Sequence, residues 1–201
     1  LLARGAKGSI TVSVQPSFAI QWLVPRLKAF NLLHSDIDVR IKAVEQPDNS
    51  LTEDVDIAIY HGRGRWPNVH ADKLHTEYLI SVCSPLLMNG KKRLVTINDL
   101  AQQTLLHDTS RRDWKRWFKQ VGVKGMNVNH GPIFSHSSMV LQAAIHGQGV
   151  ALANSVLAKP DIDSGRLVTP FNEVLVSKNS FYIVCRENQL EIGKISAFRD
   201  W

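Results

Sequence analysis

The stretch Ser135-His136-Ser137-Ser138-Met139-Val140-Leu141-Gln142-Ala143-Ala144-Ile145-His146-Gly147, continued by Gln148-Gly149-Val150-Ala151-Leu152-Ala153, changes its hydrophobic period midway. In the first part Met139 and Ala143, and Val140 and Ala144, stack at i and i+4, hydroxyls crowd the front and a glycine closes the end. This predicts a helix over 135–147 with Ser135 or Ser137 as its cap. Val150 to Ala153 is then a short apolar run, the pattern of a buried strand. A helix that hands over to a strand in this way is the repeating step of an α/β layer.

The same alternation extends toward the N-terminus. Ser9 to Val14 alternates small polar with β-branched residues and predicts a strand. From Ser17 the period lengthens, with Leu23, Leu27 and Phe30 at i, i+4 and i+7. Ser17 is placed as the N-cap after Pro16, and Pro25 predicts a kink or a restart. Asp38 to Val44 is a second strand. Val55 to Tyr60 is a nearly continuous apolar run ended by His61-Gly62-Arg63-Gly64, as a buried parallel strand would be. After a strand over Glu77 to Val82, Pro85 and Asn89-Gly90 break the pattern and open a second unit. That unit is expected to hold a short capped helix over Ile97 to Gln102, a strand over Thr104 to His107, a helix over Asp113 to Val121 and a strand ending near Phe134. A helical turn over Asn154 to Leu157, a late strand over Phe181 to Cys185 and a helix within Leu190 to Trp201 complete the chain.

Of the 201 residues, 44% are hydrophobic and 21% charged, enough to bury a core without staples. Cys83 and Cys185 lie in apolar runs without CxxC spacing, so buried free thiols in a reducing compartment are expected. No run approaches the ~20 apolar residues that cross a bilayer, and LLARGAKGS lacks the apolar stretch of a secretory signal. A cytoplasmic or trimmed protein with no membrane contact is the expectation. The 24 Lys+Arg against 18 Asp+Glu leave a formal charge of +6, which favours anionic partners only weakly. The densest basic stretch, Arg111 to Lys119, interleaves aromatic with basic residues as a nucleic-acid binder does. Its Trp114, Trp117 and Phe118 fall at i, i+3 and i+4, however, which makes them the buried stripe of an amphipathic helix and the cations its wet side. There is no G-x-S-x-G, H-E-x-x-H or G-x-x-x-x-G-K-[ST], and Gly62-Arg63-Gly64 lacks the third glycine of a dinucleotide loop. No enzyme, cofactor or metal is expected.

The fragments Asp56-Ile57-Ala58-Ile59 with Gly62, and Ser137, Leu141 or Gln142, Ala144, Gly147 with Gly149-Val150-Ala151-Leu152, occur in the order of a known family. From Ser9 to Trp201 the chain resembles the effector domain of LysR-type transcriptional regulators. The resemblance implies an α/β fold of two Rossmann-like lobes joined by two crossover strands, as in type 2 periplasmic binding proteins. On that plan 1–8 is the end of a linker, 9–83 and 184–201 form lobe I and 84–183 lobe II, with crossovers near Val82 to Pro85 and Tyr182 to Cys185. It further implies a small polar effector in the inter-lobe cleft, self-association as a dimer or tetramer, and DNA contact through an N-terminal winged helix-turn-helix outside these residues. The stretches PSFAIQWLVPRL, YHGRGRWP, LLHDTSRRDW and PFNEVLVSKNSFYIVC narrow the likeness to a branch concerned with glycine-linked one-carbon metabolism. Control of glycine cleavage genes, glycine or a purine as effector, and a repressor protein as a further partner follow from it. The alternatives are a solute-binding protein of a transporter and a protein-interaction module with an unused cleft.

Ligands of open α/β sheets collect beyond the carboxyl ends of the strands, where helix N-termini present free N–H groups. Two helix starts are candidates on the implied plan, Ser17-Phe18-Ala19 in lobe I and Ser135-His136-Ser137 in lobe II. Capping explains each serine as well as ligand contact does. Tyr60 and Gly62 join the set because they end the buried strand, where a glycine admits close approach; a plain turn explains the glycine equally. His107 is the last candidate, against a structural role. Arg63 and Arg65 are assigned to solvent.

Overall fold

Strand pairing divides the chain into two units. In the computed structural model, which describes residues 7–45, 51–89 and 92–201, the first unit is Leu1–Thr76 with Lys178–Trp201 and the second is Glu77–Ser177. The first opens with β1 (Gly8–Val14) and a helical segment in four pieces. These are α1 (Pro16–Phe18), a π turn at Ala19–Leu23, a 3-10 turn at Val24–Arg26 and α2 (Leu27–Leu33). Pro25 lies in the 3-10 turn, so the missing N–H is absorbed by a change of helical pitch and the α-helix restarts at Leu27. β2 (Ile37–Ala43), β3 (Ile57–Gly62) and β4 (His70–Lys73) follow.

The second unit contains β5 (Tyr78–Val82), 3-10 turns at Pro85–Met88 and Ile97–Gln102, β6 (Leu105–Asp108), α3 (Arg112–Val121), β7 (Ile133–Phe134), α4 (Ser137–Ile145), β8 (Val150–Asn154), α5 (Ser155–Asp163) and β9 (Val174–Val176). Its sheet runs β7-β6-β8-β5-β9, with β6 parallel to β7 and β8 and with β5 antiparallel to β8 and β9. The chain then returns through β10 (Ser180–Cys185) and α6 (Gly193–Asp200) to the first sheet, ordered β2-β1-β3-β10-β4. There β1 is parallel to β2 and β3, while β10 is antiparallel to β3 and β4. Both sheets are therefore mixed, and the strand expected over 55–60 is parallel on one side only.

Each unit has its own core. In the second, Trp114, Trp117 and Phe118 are buried with Leu100, Leu105, Val150, Leu152 and Leu175. The two indoles donate to the carbonyls of Leu106 (3.0 Å) and Glu173 (3.1 Å), so their polar edges are satisfied inside the core. In the first, Phe30 meets Phe198 and Trp201 edge-on, joining α2 to α6. Gly131, at φ +100°, lets the chain pass so close to β6 that a Cβ there would lie 1.9 Å from the Leu105 carbonyl oxygen.

Several expectations change. Ser17 is not an N-cap: Gln15 occupies that position without a side-chain bond, and Ser17 lies inside the first turn. The helix expected from 135 begins at Ser137, capped by His136 without a side-chain bond. The crossings fall at 76/77 and 177/178, not at 83/84 and 183/184, because β5 pairs within the second sheet and β10 within the first. Of the linker expected over 1–8, residues 1–6 lie outside the described residues and Gly8 already pairs in β1. Gly90 of the expected break is also outside them. Strands β4 and β9 are additional to those that the sequence pattern predicts. Both cysteines are buried free thiols, and burial pushes Cys83 up to about 11. No helix among the described residues is long and apolar enough to cross a membrane, and no group of three or more His, Cys, Asp or Glu among them is placed to hold a metal.

Candidate functional site

In the first unit the carboxyl end of β1 leads through Gln15 into α1, which places Ser17, Phe18 and Ala19 in one buried turn. The Phe18 ring packs 4.4 Å from Phe181 and 5.0 Å from Trp22, measured between centroids. Phe181 stands opposite His61 in the β3–β10 register, and their rings lie 4.7 Å apart. His75, beyond β4, completes the group at 5.7 Å from Phe181. Two aromatic rings and two imidazoles thus line one face at the carboxyl end of β3.

Tyr60 and Gly62 belong to the other face, because successive strand residues point to opposite sides. Tyr60 packs 5.3 Å from Trp66, within a cluster that includes Ala58 and Val184. A Cβ at Gly62 would come within 2.9 Å of Trp66 Cζ2, so this glycine makes room for an indole. Phe18 is accordingly brought together with His61, His75 and Phe181, and not with Tyr60 and Gly62. The sequence offers no signal for this, since the pairing of Phe181 with His61 crosses the whole second unit.

In the second unit β6 ends at Asp108 and α4 begins at Ser137, whose hydroxyl donates to Asp108 Oδ2 at 2.5 Å. Ser135 is exposed, and its hydroxyl lies 2.8 Å from His136 Nδ1 and within reach of the Met139 sulfur. A strand-end carboxyl group thus meets the Ser137 hydroxyl at the start of α4. Asp108 follows the candidate His107 at the end of the same strand, and it is this carboxylate that reaches α4.

His107 is buried and its Nε2 pairs with the His130 carbonyl at 2.8 Å. Burial pushes its pKa below the ordinary histidine range and the Arg111 charge adds to this, while the bond to His130 works the other way. It therefore ties β6 to the 130–131 loop on the strand face away from Ser137. That loop also walls a cavity of about 410 Å³ lined by Leu100, Gln103, Thr104, Met126, His130 and Gly131, among others. Leu105, the first residue of β6, also lines the cavity, and none of the candidate residues does.

These two carboxyl-end clusters sit on a chain that matches a family model over nearly its whole length, the LysR substrate binding domain at residues 3–201. The chain belongs to this family. It is 62% identical over 201 residues, all of this chain and 66% of the relative, to the glycine cleavage system transcriptional activator of Escherichia coli strain K12. A homolog of that activator in Haemophilus influenzae is 40% identical over 192 residues, 96% of this chain and 64% of that protein. The chain spans about two thirds of the length of these relatives. Among solved structures, the AmpR effector binding domain from Citrobacter freundii superposes with a TM-score of 0.80 at 27% identity, covering 97% of this chain and 96% of that one. The fold is that of a two-lobed LysR-type effector-binding domain, periplasmic-binding-protein-like, and its relatives are transcriptional regulators rather than enzymes. Neither the transporter reading nor the bare interaction module is favoured.

Proposed function

We propose that this LysR-type domain receives a small polar effector and passes the signal to a DNA-contacting part of the same regulator, acting in the cytoplasm on glycine cleavage genes. The observation that carries the reading is the Ser137–Asp108 hydrogen bond at the start of α4, with the exposed Ser135 hydroxyl beside it. A serine held by a strand carboxylate at a helix start keeps its oxygen oriented, with lone pairs left to accept from an incoming amine or ring N–H. Glycine and a purine both carry such groups. Self-association as a dimer or tetramer, DNA contact and a repressor protein as partner belong to the whole regulator on this proposal.

The test is made in the full-length regulator. Replacing Ser135 and Ser137 together by Ala removes two hydroxyls, one of them a hydrogen-bond donor to Asp108, at a stability cost of about 1–3 kcal/mol. The expected result is a lowered melting temperature together with loss of effector-dependent transcription. A lowered melting temperature with an unchanged response confines both serines to a structural role and ends this proposal.

A further inference from the structure

The wet side of α3 is arranged in a way that solvation does not explain. Arg112, Lys115, Arg116 and Lys119 recur at i, i+3, i+4 and i+7, and all four are exposed. Directly behind them Trp114, Trp117 and Phe118 fill the core. An exposed helix face is ordinarily laced with opposite charges at i, i+4, as α5 is by its Lys159–Asp163 pair at 2.9 Å. On α3, among the described residues, only Arg116 has an acidic partner, Asp113 at i−3 and 3.1 Å. Arg112–Arg116 and Lys115–Lys119 are like-charge pairs at i, i+4, and Arg112–Lys115 and Arg116–Lys119 are like-charge pairs at i, i+3. Each of these disfavours the helix. Arg111 and Arg112 also stand at the helix N-terminus, where the macrodipole disfavours cations. Past the left-handed Gly122 at the helix end, exposed Lys124 adds a further cation.

We infer that this face of α3 is a docking surface for an acidic helical segment of a partner protein. A row of four cations spans about 10 Å at the helical rise of 1.5 Å per residue, and acidic residues at i, i+3, i+4 and i+7 of a second helix present charges at the same pitch. Single-stranded nucleic acid fits less well, because the aromatic rings that would stack on bases are all inside the core. An anionic bilayer also fits less well, because the helix turns no large apolar side chain outward to insert. Duplex DNA is engaged through many phosphates at once, and the row is a single residue wide. The surface lies wholly within the second unit and does not depend on the effector reading.

The test uses the 201-residue chain and three probes, read by fluorescence anisotropy at 50 and 200 mM salt. The probes are a helical peptide with Glu at i, i+3, i+4 and i+7 together with its Gln counterpart, a 20-base-pair duplex, and phosphatidylserine vesicles. The chain is expected to bind the Glu peptide at least ten-fold more tightly than the Gln peptide, and R112E/K115E/K119E is expected to lose that difference. The neutral variant R112Q/K115Q/K119Q should lose it as well, with an unchanged or higher melting temperature since repulsion is relieved. The inference is overturned if the charge-reversed chain binds the Glu peptide as the parent does. It is equally overturned if the reversal releases duplex or vesicles but not peptide, or if the neutral variant melts lower, which would give the row a structural duty.

Discussion

A neutral, buried imidazole carries its own pH dependence. The Nδ1 of His107 is buried and without a hydrogen-bond partner among the described residues, while Nε2 is committed to the His130 carbonyl. Protonation would place a charge in this site, so the folded state holds the proton less readily than the unfolded chain, whose histidine titrates near 6.5. With the folded pKa depressed, the stabilisation is complete above pH 6.5 and is lost as pH falls from there through the lower folded value. The urea midpoint is therefore expected to drop between pH 7.5 and 5.5, and to drop less in His107→Gln; parallel curves for the two proteins would show that His107 is not the group responsible. At the same scale the limits of sequence reading are plain. Position along the chain identified Tyr60 and Gly62 as strand-end residues, but alternation decides which face each occupies, and the deciding partner, Trp66, shows no periodicity. Asp108 and His61 each stand beside a candidate residue, and only the register separates them.

Elements with strong periodicity were legible and short polar ones were not. The spacing of Trp114, Trp117 and Phe118 found α3 to within a residue, since two indoles on one stripe leave no alternative but burial. Thr96 and Asp99 form a reciprocal capping box at the 3-10 turn of Ile97–Gln102, which holds this short element in place. β4, His70-Ala71-Asp72-Lys73, has no apolar alternation and becomes a strand only because β10 offers it an edge. Polar bonds hold it there: Arg199 reaches Asp72 at 2.9 Å and His70 lies 2.9 Å from the same carboxylate. Burial alone would raise the Asp72 pKa, but these two partners keep it below the ordinary carboxylate range. The fully buried Trp117 is the clearest place to test the packing of an element. Trp117→Ala removes the largest side chain between α3 and β9 and leaves the Glu173 carbonyl unpaired, so a loss of about 3–5 kcal/mol is expected in denaturant unfolding. A loss below about 1 kcal/mol would mean that the core collapses around the cavity.

At the scale of the molecule, outward apolar residues lead to the expectation of self-association. Ile20, Val24, Leu32 and Leu33 on the first helical segment are more than half exposed, and Met139 on α4 is 49% exposed. A self-complementary contact through these helices should bury on the order of 1,200 to 2,000 Å² and give dimers at tens of micromolar. Sedimentation showing monomer alone at that concentration would contradict it. The strand order holds a different consequence, one that concerns synthesis. In the first sheet β10 lies between β3 and β4, and it emerges only after the whole second unit has left the ribosome. Until then β3 has an unpaired inner edge and β4 has no neighbour, whereas Glu77–Ser177 already contains every strand of its own sheet. A nascent chain thus completes its middle before its beginning. A chain stopped at Ser177 is expected to protect the amides of β6 and β8 from hydrogen exchange while those of β3 and β4 exchange freely. Equal protection of both sheets would show that the first can close without its last strand. The open edge of β3 is where a half-made chain would meet its own copies, so the interval before Ser180 emerges is the one in which aggregation competes with folding.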